Sequence, residues 1–298
     1  MPGAARATAT PLDDTRWFLP ESLSPLAYTR TYAGLAPEHR RRYNQLHATY
    51  VNEQILFFEQ TLAENVLGGL RRAGPPAALD VSLARFIDDE RAHIAMFREL
   101  NRCCAPAAYA TRDYRFVALP GPAARVLAAA SRRPARFPFF VWLMLLMEER
   151  ALHYGREIVQ RRGELEPAFV ETHVRHLRDE VHHVRWDEEI LDWLWPRTSR
   201  PLRWANAVLF RWLVGEFFSV PRRAAVRVVD AWIAACPELM PHRELFHREL
   251  REIRQRTDFH ASLYSRTIVP RTFARFDGAR EFAFMCRVLP GYRPAGAR

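Results

Sequence analysis

Residues 170–186 read VETHVRHLRDEVHHVRW, and this stretch predicts how the rest of the chain is organised. It contains His176, Glu180 and His183, which are spaced four and then three residues apart. On an α-helix this spacing places the three side chains within about 60° of one another on one face. Two imidazoles and a carboxylate are donors that suit a transition metal. The stretch therefore predicts a helix with a metal-binding face.

The text Asp-Glu-x-x-His occurs twice, at residues 179–183 and again at residues 89–93, where it supplies Glu90 and His93. A single Glu-x-x-His on a helix is common and is usually a surface pair. Two copies on separate helices, joined by a glutamate from each of two further helices, are typical of di-iron carboxylate four-helix bundles. The repeat therefore favours a metal site over two surface pairs.

The two further glutamates are predicted from hairpin symmetry, because residues level with each other in an antiparallel hairpin lie equally far from the turn. Glu149 is level with Glu180, at a separation of 180 − 149 = 31. The same separation counted back from Glu90 gives Glu59, since 90 − 31 = 59. Glu53 is the rival, but it would lie about 9 Å further along the helix at 1.5 Å per residue.

The predicted site has seven metal ligands. Carboxylates can bridge two irons and change their binding mode, while neutral imidazoles complete each coordination shell. Without metal the buried carboxylates would be costly, because like charges at close range in a low dielectric cannot all ionise. The ligands are Glu59, Glu90 and His93 from the first hairpin, with Glu149, His176, Glu180 and His183 from the second.

His176 is less firmly predicted than the other ligands, since the equivalent position of the first repeat is Phe86. The two aspartates of the repeated text are placed to hydrogen-bond ligating imidazoles. Outside the ligand set we place Asp89, Asp179, His153, His173 and His182.

Composition excludes several classes of function. The chain has 298 residues, 49% of them hydrophobic, and its net charge of +10 comes from basic residues that are all Arg. The basic clusters are scattered and not interleaved with aromatic residues, so neither a nucleic acid nor a membrane is predicted as a partner. The most apolar run, residues 139–147, is about half the ~20 residues that span a bilayer. No dinucleotide motif or P-loop is present.

The four cysteines form no Cys-x-x-Cys pair, which fits a reduced compartment. The N-terminus lacks the order of a signal peptide. We therefore expect a cytoplasmic protein with an N-terminal lead over residues 1–36, largely irregular, and one domain over residues 37–298.

Apolar periodicity and the Pro and Gly breaks predict an all-α architecture. The four bundle helices are expected at 37–70, 79–102, 138–162 and 167–195. Peripheral helices are expected at 123–130, 202–218, 221–236 and 243–266, with no clear period from residue 268 onward.

At these residues the chain resembles the p-aminobenzoate N-oxygenase family of di-iron arylamine oxygenases. The family pattern is a Glu about thirty residues before Asp-Glu-x-x-His, present twice, with an additional His one turn before the second Glu. The resemblance covers about residues 43–195. It implies a ferritin-like four-helix bundle, two Fe ions, O₂ as co-substrate, and oxidation of an amine to a hydroxylamine or nitro group, often for a specialised metabolite such as an antibiotic.

Three functions stay open. The leading hypothesis is an O₂-dependent di-iron N-oxygenase; a di-iron C–H hydroxylase or desaturase would need the same ligands and a different pocket. The third is a ferritin-like iron-handling protein, against which stand roughly one hundred residues that follow the bundle and could roof a cavity. The aromatic stretch Phe139, Phe140 and Trp142 suits either a pocket for a flat substrate or plain core.

The expected partners are a small-molecule amine substrate and a separate electron donor, because no reductase module is visible. The sequence leaves the oligomeric state open, with a homodimer as one alternative.

Overall fold

The computed structural model describes residues 12–117, 121–219 and 222–293. Within these ranges the chain forms twelve α-helices and no β-strand; Trp17 and Leu165 form one isolated bridge. Four long helices form a ferritin-like bundle, and shorter helices surround it. The predicted all-α fold is confirmed.

The described part of the N-terminal lead packs on the bundle as short helical turns. Two 3₁₀ turns, Glu21–Leu23 and Pro25–Tyr28, precede α1 (Arg30–Ala33). Leu19 is fully buried, and its backbone N–H and carbonyl are both hydrogen-bonded by the Asn44 side chain. Residues 1–11 lie outside the described ranges, and the division into a lead and one domain stays a prediction.

The first hairpin has a continuous but irregular first arm. It begins as α2 (Pro37–Phe57), passes through a π-helical segment (Phe58–Ala63), and ends as α3 (Glu64–Arg72). The turn contains Gly74 at φ 72°, a left-handed conformation that glycine adopts without strain. The return arm is α4 (Ala77–Cys104).

The second hairpin follows α5 (Gly121–Ser131) and consists of α6 (Phe139–Gln160) and α7 (Pro167–Leu194). α7 begins with Pro at its first position, and the Glu166 carboxylate accepts from the backbone N–H of Phe169 at 3.0 Å. A Cβ at Gly155 would lie 2.8 Å from Leu177 Cδ1, so glycine permits the close approach of α6 and α7.

Five further helices surround the bundle, and they differ from the prediction in two places. The predicted helix over 243–266 is broken by a turn at 254–256, and a helix is present beyond residue 268. That last helix begins at a proline, which favours the first helical position, so the sequence did carry a start signal. The helices are α8 (Arg200–Leu213), α9 (Arg222–Ala235), α10 (Arg243–Ile253), α11 (Thr257–Leu263) and α12 (Pro270–Gly278).

The first half of α6 is core. The Trp142 ring packs against Trp195, Phe276 and Phe282, with centroids 4.4–5.6 Å apart. Of the two alternatives for this aromatic stretch, the structure therefore supports plain core. Among the described helices, none has the length and apolar content needed to cross a membrane.

Candidate metal centre

Seven acidic and imidazole side chains converge between the four long helices, and none is more than 4% exposed. The π-helical segment contributes one of them, which fits the frequent occurrence of π turns at functional sites. Six were predicted from the sequence, and the one from α6 was not. They are Glu59, Glu90, His93, Glu148, His176, Glu180 and His183.

Glu180 lies at the centre of the cluster. His176 Nε2 is 2.6 Å from Glu180 Oε1 and 3.2 Å from Glu59 Oε1. His93 Nδ1 is 3.8 Å from an oxygen of each of the same two glutamates. These four residues come from three separate helical segments, so only the packed bundle assembles them.

His183 connects this group to two further ones. Its Nδ1 lies 3.5 Å from Glu180 Oε2 and 3.7 Å from Glu90 Oε1. Donor atoms of Glu148, Glu180 and His183 lie within 4.8 Å of one another, and so do those of Glu90, His93 and His183. The groups overlap, which gives the cluster room for more than one metal ion.

The two aspartates of the repeated motif bind the outer nitrogens of two histidines. His93 Nε2 lies 3.1 Å from Asp179 Oδ2, and His183 Nε2 lies 3.3 Å from Asp89 Oδ2. Each aspartate thus hydrogen-bonds the histidine of the other motif helix and not the histidine of its own motif. The carboxylate partner assigns the proton to Nε2, so each Nδ1 presents its lone pair to the cluster.

Glu149 does not join the cluster, and this corrects the sequence prediction. Its carboxylate accepts from the backbone N–H groups of Arg271 and Thr272, both at 2.8 Å, and from the Thr272 hydroxyl at 2.7 Å. These bonds satisfy free N–H groups in the first turn of α12. Glu148, about 100° around α6 from its neighbour, faces the cluster instead.

The register error arises because the two hairpins are not equal. The first turn has four residues, 73–76, and the second has six, 161–166. The π-helical segment adds one residue to the first arm between Glu59 and its turn. The separation is therefore 90 − 59 = 31 in the first hairpin but 180 − 148 = 32 in the second.

Glu53, like Glu149, binds hydrogen-bond donors outside the cluster. It is fully buried, and its carboxylate accepts from the Tyr109 hydroxyl at 2.6 Å. It also accepts from the backbone N–H groups of residues 115–117 at 2.7–2.8 Å. The structure places Glu59, and not Glu53, among the cluster residues.

The remaining histidines of the second hairpin lie outside the cluster. His182 is exposed and His153 is half-buried. His173 is 3% exposed, and its Nε2 has no hydrogen-bond partner within the described part of the chain. Burial, and then His176, lowers the pKa of His173 to about 3, so this imidazole is neutral.

The side chains of the cluster carry too little positive charge to balance their carboxylates. Burial, and then Glu59, raises the pKa of Glu90 well above its ordinary value. Burial, and then Glu180, does the same to the pKa of Glu148. Against the effect of burial, His176 and His183 hold the pKa of Glu180 well below its ordinary value. Also against burial, Glu180 raises the pKa of His176 to about 10. Bound protons thus supply positive charge that metal cations would otherwise supply.

Several buried oxygen and nitrogen atoms of the cluster have no hydrogen-bond partner among the described residues: both oxygens of Glu90, one of Glu59, and Nδ1 of His93 and His183. Each unsatisfied buried group costs roughly 1–3 kcal/mol. A metal ion would satisfy these oxygens and nitrogens together. The residues present therefore fit a metal centre.

A cavity of about 50 Å³ opens beside the cluster and contacts Glu59, Glu148 and His176. The sequence analysis did not predict the other polar residues that line this cavity. Arg150, which follows the apolar first half of α6, was a visible signal. The other polar residues include Gln54, Arg150, Tyr154 and His173.

Comparison with protein-family profiles matches residues 7–261 to p-aminobenzoate N-oxygenase AurF. The match spans well over half of the chain and includes every residue of the cluster. A search of curated proteins found no match. On the strength of the family match, this chain belongs to the p-aminobenzoate N-oxygenase AurF family.

Proposed function

We propose that this chain is an O₂-dependent non-haem di-iron oxygenase that N-oxygenates an arylamine to a hydroxylamine or nitro product in specialised metabolism. The observation that carries the proposal is the buried cluster of four glutamates and three histidines at the wall of a cavity. The matched family is one of N-oxygenases, which supports nitrogen as the atom oxidised.

Charge balance supports two divalent ions. Four ionised glutamates carry four negative charges, which two Fe(II) ions neutralise while the imidazoles stay neutral. When bound, the iron would supply the redox chemistry that activates O₂. The residues that would hold it are Glu59, Glu90, His93, Glu148, His176, Glu180 and His183.

The protein's own contribution is to orient donors and to exclude water. Asp89 and Asp179 keep a proton on the outer nitrogen of their histidines, so the inner nitrogens stay available. Glu59, Glu148 and His176 reach the cavity wall. A substrate in this cavity would therefore meet the centre from one side only.

Converting an amine to a hydroxylamine with O₂ consumes two electrons and two protons and releases one water. We therefore propose a separate electron donor and a small-molecule amine substrate, with no nucleic acid or membrane as partner. Among the residues described, all four cysteines are free thiols, which supports a cytoplasmic location. A homodimer stays a prediction.

The test is to load the protein with Fe(II) under argon and then add O₂, a reductant and a panel of arylamines that includes p-aminobenzoate. Mass spectrometry should detect hydroxylamine and nitro products. His176→Phe, which introduces the residue found at the equivalent position 86 of the first repeat, should sharply reduce their yield. Products hydroxylated at carbon, with none at nitrogen, would instead support the C–H hydroxylase or desaturase. Uptake of many irons per chain without organic product would support iron handling.

A further inference from the structure

We propose that His39, Cys236 and Glu238 form a binding site for one zinc ion, separate from the metal cluster between the long helices. The three side chains present their ligand atoms within 4.8 Å of one another. An imidazole, a thiolate and a carboxylate are all zinc ligands. The site lies about 30 Å from Glu59 along the first arm of the bundle, since 59 − 39 = 20 residues separate them. The proposal is therefore independent of the proposed function.

Trp232, which is fully buried, fixes the backbone on both sides of the site. Its indole N–H donates to the His39 carbonyl at 2.9 Å. Its own carbonyl accepts from the Cys236 N–H, also at 2.9 Å. One core residue thus holds two ligand-bearing segments side by side, although they are distant in the chain. Ligands that the fold orients in advance favour metal binding.

The segment after α9 supplies two of the three ligands. Cys236 directly follows α9 and precedes the 3₁₀ segment Pro237–His242, which contains Glu238. The Cys236 carbonyl accepts from the Leu239 N–H at 2.9 Å, so hydrogen bonds fix the backbone of this residue on both sides. The third ligand, His39, lies in the first turn of α2. A bound ion would connect the start of α2 to the end of α9.

Exposure increases from one side of the site to the other. Cys236 is buried at 7% exposure, whereas the side chains of His39 and Glu238 are 19% and 58% exposed. An ion therefore has a route from solvent to a buried sulfur. Three protein ligands leave the fourth tetrahedral position of zinc to a water molecule.

The charges of the three ligands balance one divalent ion. His39 Nε2 lies 2.6 Å from Glu238 Oε1, which is a hydrogen bond in the absence of metal. On binding, the Cys236 thiol would release its proton to solvent, and the imidazole proton would move from Nε2 to Nδ1. A thiolate and a carboxylate then neutralise the two positive charges of the ion. The sulfur ligand favours zinc over magnesium or calcium.

The experiment titrates Co(II), a spectroscopic substitute for Zn(II), into the full chain under argon after loading with Fe(II). A cobalt–thiolate bond gives an intense near-ultraviolet charge-transfer band, and the metal cluster contains no sulfur ligand. We expect this band in the wild type and its loss when Zn(II) is added. Cys236→Ser should lose the band. His39→Gln and Glu238→Gln should each weaken Co(II) binding at least about 10-fold, since even a residue that only orients a ligand contributes about 10- to 100-fold.

Each variant has a matched control that changes the same type of side chain outside the site. Cys286→Ser removes another free thiol. His242→Gln and Glu244→Gln change exposed side chains close to the same segment. All three controls should keep the band and the wild-type affinity for Co(II).

Three results would overturn the proposal: no thiolate band in the wild type, an undiminished band in Cys236→Ser, or wild-type affinity in both His39→Gln and Glu238→Gln. Circular dichroism checks that each variant folds. If Cys236→Ser does not fold, X-ray absorption at the zinc edge of the wild type, given one equivalent of Zn(II), replaces it. A sulfur at about 2.3 Å is then expected, and a ligand shell without sulfur overturns the site.

Discussion

Glu148 and Glu149 are neighbours on α6, almost equally buried at 4% and 3% exposure, yet their surroundings are opposite. Three donors from the first turn of α12 satisfy Glu149. Glu148 faces Glu180, another carboxylate. Burial raises the pKa of both residues, so depth does not distinguish them. The two residues differ in the number of hydrogen-bond donors around each carboxylate.

The first hairpin repeats this contrast between Glu53 and Glu59. Glu53 accepts from one hydroxyl and three backbone N–H groups, whereas Glu59 Oε2 is buried without a partner among the described residues. A buried carboxylate with several donors stabilises a chain segment. A group of buried carboxylates without donors indicates a cation site.

The largest expected effect is at Glu180, which belongs to two of the three overlapping groups of the cluster. Glu180→Ala should abolish binding of iron, because the cluster loses the carboxylate that lies within 3.8 Å of all three histidines. Elemental analysis after anaerobic Fe(II) loading would measure this against about two irons in the wild type. Glu189→Ala, on the same helix and 41% exposed, is the control. Two irons retained in Glu180→Ala would refute the site.

The contrast between Glu148 and Glu149 is tested by changing each of them to glutamine. Glu148→Gln should lose iron without destabilising the metal-free protein, because one of several crowded carboxyls becomes a neutral amide. Glu149→Gln should keep its iron but unfold more easily by about 1–3 kcal/mol, because an amide NH₂ would face the donors of α12. Denaturant titration and iron analysis measure both. The reverse pattern would restore Glu149 as the ligand.

A smaller effect is expected where a hydrogen bond only orients a ligand. Asp179→Asn would weaken the bond to His93 Nε2, and metal affinity should fall about 10- to 100-fold. Asp88→Asn is the matched control, since Asp88 is 77% exposed. Competition with a chelator would measure the affinities. Equal affinities in the two variants would remove Asp179 from the centre.

An effect confined to acid pH is expected at a histidine away from the carboxylates. Burial lowers the pKa of His47 to about 4, whereas Glu180 raises that of His176 to about 10. The folded protein binds a proton at His47 less readily than the unfolded chain does. The contribution of neutral His47 to the free energy of unfolding is therefore complete above pH 6.5. As the pH falls from 6.5 toward 4, about 3 kcal/mol should be lost. Denaturant titrations at several pH values should show His47→Gln losing this part of the pH dependence; an identical slope would contradict it.

Local sequence predicted the helices that carry the site well, because apolar spacing and breaks at Pro and Gly act within a few residues. The same signals did not show the turn at 254–256, across which the apolar spacing continues, and they passed over α12. The missed helix matters to the site, because its first turn engages Glu149.

The sequence by itself determined which residues share a face of one helix, and so it determined Glu90, His93, His176, Glu180 and His183 as a set. Helical periodicity is a local property, and it is independent of partners. Only the tertiary structure decided between Glu148 and Glu149, because the rotation of α6 depends on segments more than one hundred residues away. The same packing decided which aspartate serves which histidine, and it brought Arg150 to the cavity, since these pairings join helices that are distant in the chain.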